Sequence, residues 1–177
     1  EAQAICIKAL EKWPVSADFY LILAQAQAEN GETDQAVASY RSALELENDL
    51  AEAYRGLGAI LFARQRYVEV ITLCNEMIRA RPDYHAAHAD LGTALQACGR
   101  MDEAMVAYEK AVALNPQNLD ARSNWLFCSN YTDGIAPQVI YEHAVAFSQY
   151  AGAQASPFDQ WRCTNTPTRL RVGLVSG

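Results

Sequence analysis

Residues 51–84 read AEAYRGLGAILFARQRYVEVITLCNEMIRARPDY, and their spacing predicts two helices joined by a tight turn. Tyr54, Leu57 and Leu61 recur at helical spacing and share one face. Gly58 falls mid-helix, where glycine costs about 0.5–1 kcal/mol relative to alanine, so its presence needs a reason. The expected reason is close approach of the neighbouring helix, which a larger side chain would block. Val70, Cys74 and Ile78 stripe the second helix. Pro82 closes it, because proline has no N–H to continue the hydrogen-bond ladder.

Moving outward from this stretch, residue types fall into columns when the sequence is shifted against itself by 34 positions. Ala2, Ala36, Val70 and Ala104 form one column, and Cys6, Tyr40, Cys74 and Tyr108 another. Further columns are Ala9, Ala43, Met77, Ala111 and Pro14, Asn48, Pro82, Pro116. The first helix of each unit supplies Tyr20, Tyr54, His88, Arg122, then Leu23, Leu57, Leu91, Trp125, then Ala24, Gly58, Gly92. Gly99, between Ala97 and Met101, marks an interhelix turn.

This period, with small residues so placed, resembles the tetratricopeptide repeat. The resemblance covers residues 1–130: a second helix at 1–16, full units at 17–50, 51–84 and 85–118, and a partial unit from 119. It implies an all-α fold, a right-handed superhelical solenoid of helix pairs, because one unit cannot bury its apolar face alone. Three residues depart from the family pattern: Gln65 stands where glycine is preferred, Val70 where alanine is, and Asn48 where proline is.

Composition narrows the function. The 177 residues are 51% hydrophobic and 20% charged, which suits a folded core. A net charge of -7 and a pI near 4.9 exclude nucleic acid and anionic membranes as main partners, since no basic patch exists to meet phosphates. No run of about 18–20 apolar residues predicts a membrane span. Without an initiator Met, the N-terminus reads as a trimmed end. Cys6, Cys74, Cys98, Cys128 and Cys163 are odd in number and lack a CxxC pair, so they read as reduced thiols in a cytoplasmic protein. Those in the helical part are expected to be small buried hydrophobes. In that setting the Asn130-Tyr131-Thr132 glycosylation triplet is accidental. His85 and His88 lie three apart and offer only two ligands, so they are expected to pack between helices. No constellation of acid, base and anion-binding groups marks an active site, and no cofactor or metal site is expected.

In the repeat family, first-helix positions face a concave groove that binds protein or peptide partners. Carried onto this sequence, the resemblance implies groove contacts at Gln25, Glu52, Arg55, Phe62, Asp90, Thr93, Gln96 and Asn124, with Asp18, Leu21 and Ala59 beside them. No Lys/Asn/Arg set recurs there to clamp a C-terminal carboxylate.

The end of the chain breaks the pattern. After Asp133-Gly134, Pro137 opens a helix striped by Ile140, Ala144, Phe147 and Ser148. Residues 131–151 read as a junction helix and 152–168, with two prolines and many small polar residues, as a linker that brings Phe158 and Trp161 back onto the solenoid. Residues 169–177, LRVGLVSG preceded by arginine, read as one orphan β-strand of the kind that opens a doubly wound α/β domain. The order of repeat array, Asn130-Tyr131, a helix with Glu142 and His143, linker, then Arg171, Gly173 and Ser176 resembles the junction in O-linked N-acetylglucosamine transferase-like proteins, including the SPINDLY type. That resemblance implies a parent transferring sugar from UDP-N-acetylglucosamine, or GDP-fucose, to Ser or Thr hydroxyls, with the solenoid as its substrate-selecting arm. The alternative is a free-standing scaffold, capable of homo-oligomerising, whose tail strand adds to a partner's sheet.

Overall fold

A computed structural model describes residues 2–13 and 15–154, and every element among them is helical. The helices are α1 (Ala2–Lys12), α2 (Ala17–Glu29), α3 (Thr33–Leu46), α4 (Ala51–Ala63), α5 (Tyr67–Ala80), α6 (His85–Ala97), α7 (Met101–Leu114), α8 (Leu119–Cys128) and α9 (Pro137–Gln154). Each packs on the next in chain order, and α2 also touches α4 as α6 touches α8, so successive first helices line one side of a solenoid. The expected strand at 169–177, most of the linker and Cys163 lie outside the described residues. The junction helix runs to Gln154, three residues into the span read as linker.

Small residues make the helix contacts. Ala24, Ala36, Ala43, Ala53, Ala87, Ala94, Ala104 and Ala111 are all fully buried, which lets paired backbones approach closely. The middle repeat departs. Val70, Leu73 and Met77 occupy columns filled by Ala36/Ala104, Ser39/Ala107 and Ala43/Ala111 in its neighbours, and all three are buried. Their extra volume holds α4 and α5 further apart than α2 and α3 or α6 and α7.

The turn inside each repeat has one geometry. Gly31, Gln65 and Gly99 adopt left-handed backbone at φ 79°, 57° and 76°. The following N–H reaches back to close the helix in each case: Glu32 to Gln27 O, Arg66 to Leu61 O and Arg100 to Leu95 O, all at 2.9 Å. Only glycine holds this conformation without a Cβ clash, so Gln65→Gly is expected to stabilise the protein by about 0.5–1 kcal/mol, read as a higher urea midpoint. A lowered midpoint would mean that the Gln65 side chain contributes more than its backbone strain costs.

Three expectations need correction. Gly58 is not the point of close approach: a Cβ there would sit 3.9 Å from Leu73 Cδ2, an ordinary contact. The facing column carries Cys74 in this repeat rather than tyrosine, and the wedge described above opens the pair. Close approach occurs at Gly92, where a Cβ would lie 2.6 Å from Tyr108 Cε1, and at Gly56, where it would lie 2.3 Å from Tyr40 Cζ. Among the cysteines, Cys6, Cys74 and Cys128 are buried, but Cys98 is exposed at the C-terminal end of α6. On α9, Ala144 and Ser148 face outward, and the packed stripe includes His143 and Tyr150.

His88 and Arg122, unlike residues in one column, do the same work. The His88 Nε2 donates to Pro82 O at 3.0 Å and Arg122 Nε donates to Pro116 O at 2.9 Å, each satisfying the carbonyl of a turn between repeats. The Arg122 guanidinium also lies 4.7 Å from the Tyr150 ring centre, and the Trp125 ring stacks on His143 at 3.7 Å and 9°. These contacts dock α9.

Burial pushes the His143 imidazole below its ordinary range, against the opposing pull of Glu109 and Glu142 and with a smaller push from Arg122. A depressed histidine favours the neutral form in the folded protein. Its contribution is therefore fully present above the unfolded value of about 6.5 and is lost as pH falls below it. Hydrogen exchange in α9 is expected to accelerate as pH drops from 7.5 to 5.5 after correction for intrinsic rates, and less so in His143→Gln. An identical acceleration in both proteins would remove His143 from the effect.

Candidate binding groove

The first helices α2, α4, α6 and α8 carry the residues expected to meet a partner. Gln25 on α2, and Glu52 and Arg55 on α4, are exposed. Phe62 is half-buried at the end of α4, edge-on to Tyr67 with ring centres 5.9 Å apart, where it covers the repeat's internal turn. Asp90, Thr93 and Gln96 on α6 and Asn124 on α8 are half-buried.

Three of these come together. Asp90, Thr93 and Asn124 line a recess of about 410 Å3 between α6 and α8, completed by His85, Tyr108, Asn118 and Asp120. Gln25, Glu52, Arg55 and Phe62 do not line it. Gln96 sits behind it: the Tyr108 hydroxyl donates to Gln96 Oε1 at 2.8 Å, with Thr93 Oγ1 at 3.3 Å. Sequence reasoning read Tyr108 only as a large residue of a packing column and missed His85, Asn118 and Asp120 as lining residues. Helical spacing placed His85 four residues before Ala89 on α6, and that was the available signal.

The electrostatics follow from partial burial. Desolvation raises the Asp90 carboxyl above the usual range, opposed by the hydrogen bond it accepts from the Tyr54 hydroxyl at 3.3 Å. The Tyr54 oxygen also lies 3.1 Å from Cys74 Sγ. Because the phenol proton goes to Asp90, the thiol is the donor in that pair, and burial pushes Cys74 up to about 12. Burial likewise lifts Tyr108 to about 12. Both groups stay protonated at neutral pH, so Tyr108 is a hydrogen-bonding wall of the recess and Cys74 is a buried donor to Tyr54, neither of them a nucleophile. The His85 Nδ1 is buried without a partner among the described residues. Backbone-sized donors and acceptors thus line a recess bounded by the Asp90 and Asp120 carboxylates.

An α-solenoid of paired helices with a polar recess on its first-helix side defines a class of repeat scaffolds. Residues 24–65 match the family described as TPR repeat and residues 85–118 the family described as Tetratricopeptide repeat. No curated relative matches the sequence. Among solved structures, the chain is similar to MamA 41-end from Desulfovibrio magneticus RS-1, at 19% identity over 87% of this chain and 86% of that one, with a TM-score of 0.71. A further MamA crystal structure matches at 20% identity over 94% and 87%, TM-score 0.72. YrrB, titled a TPR protein with an unusual peptide-binding site, matches at 25% identity over 83% and 75%, TM-score 0.68. Among the described residues no helix is long and apolar enough to cross a membrane.

Proposed function

We propose that this protein is a protein-interaction module whose first-helix groove receives an extended segment of a partner protein. The observation that carries this reading is the recess between α6 and α8, where half-buried Asp90, Thr93 and Asn124 gather with His85, Asn118 and Asp120 at one opening. YrrB, a similar solenoid, is titled as peptide-binding, which supports the class of partner. Gln25, Glu52, Arg55, Phe62 and Gln96 extend the contact along the groove. The unpaired thiols favour a reducing, cytoplasmic setting.

The test is selection of displayed peptides on the purified protein, followed by titration of the winners. Asn124→Ala and Asp90→Asn are each expected to weaken the selected peptides about tenfold while leaving the melting transition in place. Arg55→Glu is expected to shift peptide preference toward basic residues. Equal affinity for all three variants would place the binding surface elsewhere.

A second reading rests on residues 125–177, where the resemblance to O-linked N-acetylglucosamine transferase-like proteins ends in Arg171, Gly173 and Ser176. On that reading the groove presents Ser- or Thr-bearing substrates to a nucleotide-sugar-dependent catalytic region. A longer protein containing these residues would then transfer sugar to its groove-bound partner from UDP-N-acetylglucosamine or GDP-fucose. Partner binding with no transfer from either donor would favour the free-standing scaffold.

A further inference from the structure

A second recess opens on the opposite side of the middle repeat. Its walls are α3 and α5, its floor is α4, and it encloses about 600 Å3, within the roughly 300–1,000 Å3 typical of ligand pockets. Its cause is in the repeat columns, where Leu73 and Met77 stand in place of the smaller Ser39/Ala107 and Ala43/Ala111 and line the gap between α4 and α5. The result is a slot whose lining combines Leu44, Leu57, Leu73 and Met77 with charged side chains of α3 and α5.

The mouth of the slot is charged unevenly. Arg41 on α3 pairs with Glu69 on α5 at 2.9 Å, tying the two walls together, and Arg66 pairs with the same carboxylate. Glu45 on α3 and Glu76 on α5 are exposed and have no ion pair among the described residues, against the single unpaired guanidinium of Arg79. Leu44, Leu57, Leu73 and Met77 in the lining, with two free carboxylates against one free guanidinium at the mouth, suit an apolar anchor flanked by cations.

We propose that this slot is a second binding site, independent of the first-helix groove, that takes one bulky apolar side chain of a partner peptide with lysine or arginine beside it. The anchor enters between Leu44 and Met77, and the flanking cations meet Glu45 and Glu76. An acidic partner is rejected by the same carboxylates.

The chain has three methionines, so protein labelled with 13C at the methionine methyls gives one reporter in the slot, Met77, with Met101 and Met105 outside it. The probes are three pentapeptides: Gly-Lys-Phe-Lys-Gly, Gly-Glu-Phe-Glu-Gly and Gly-Lys-Ala-Lys-Gly. The first is expected to move the Met77 signal and leave the other two in place, and the others to bind about tenfold more weakly or worse. Glu45→Gln/Glu76→Gln, both at exposed positions, is expected to weaken the first peptide about tenfold without changing the melting transition, whereas Asn124→Ala leaves it unchanged. A stationary Met77 signal at saturating peptide would overturn the proposal. So would equal binding of the acidic peptide, or an undiminished affinity in the double variant. A Met77 signal that moves with protein concentration alone would assign the slot to a second copy of the chain and overturn it as well.

Discussion

Trp125→Ala is expected to destabilise the last helices by about 3–5 kcal/mol, the range for truncating a buried aromatic side chain. Trp125 is 1% exposed within the cluster that includes Leu95, Met105 and Cys128. Its Nε1 donates to Glu109 Oε1 at 3.0 Å, and its ring forms the stack with His143. Truncation leaves a cavity on α8 and removes the surface on which α9 rests, leaving α9 the Arg122–Tyr150 contact and the apolar packing of Ile140. Because each repeat contacts only its neighbours, the loss should be local. Hydrogen exchange is the readout: amides of α8 and α9 lose protection while those of α2 to α5 keep it. Equal loss along the whole chain would mean the array unfolds as one unit. Trp125→Phe, which keeps an aromatic surface against His143 and loses the Nε1 bond, should cost far less, with about 1 kcal/mol from the hydrogen bond.

The second large effect is a difference of sign at two glycines of one column. Gly58→Ala is expected to stabilise the protein by about 0.5–1 kcal/mol, the helix-propensity gain, because the new Cβ meets only Leu73 Cδ2 at 3.9 Å. Gly92→Ala is expected to destabilise it by about 1–2 kcal/mol despite the same gain, because its Cβ would lie 2.6 Å from a Tyr108 ring that is fully buried. That ring cannot swing away without breaking the bond from its hydroxyl to Gln96. Paired urea melts decide the matter. If both substitutions shift the midpoint in the same direction, the packing account of this column is wrong.

These two glycines show where the sequence was legible and where it was not. The column Ala24, Gly58, Gly92 correctly marks the helix contact, and Gly92 answers the expectation of close approach. Gly58 does not, because its partner residue changed to Cys74 and its neighbours enlarged to Leu73 and Met77. Tyr40 shows the same dependence. With Ala24 opposite it in its own repeat, its ring lies over Gly56 of the next repeat instead, a choice no spacing rule records. His88 and Arg122 were unlike enough to look unrelated, yet both satisfy a turn carbonyl, since that job requires only a donor of sufficient reach. In the groove, Asp90, Thr93 and Asn124 were read from first-helix positions, whereas Tyr108 enters from a second helix and carries no sign of it in the sequence.

By itself the sequence determined the repeat: its period, the helix pair in each unit and the interhelix turn at Gly99. These follow from local rules of backbone sterics and helical periodicity, which act over a few residues. The tertiary structure alone decided which glycine admits a ring, where α4 and α5 part to leave a slot, and how Trp125 and His143 join α8 to α9. Those outcomes depend on the summed volume of side chains from three helices meeting at one place, and a close-packed interior turns one residue's change into its neighbour's displacement.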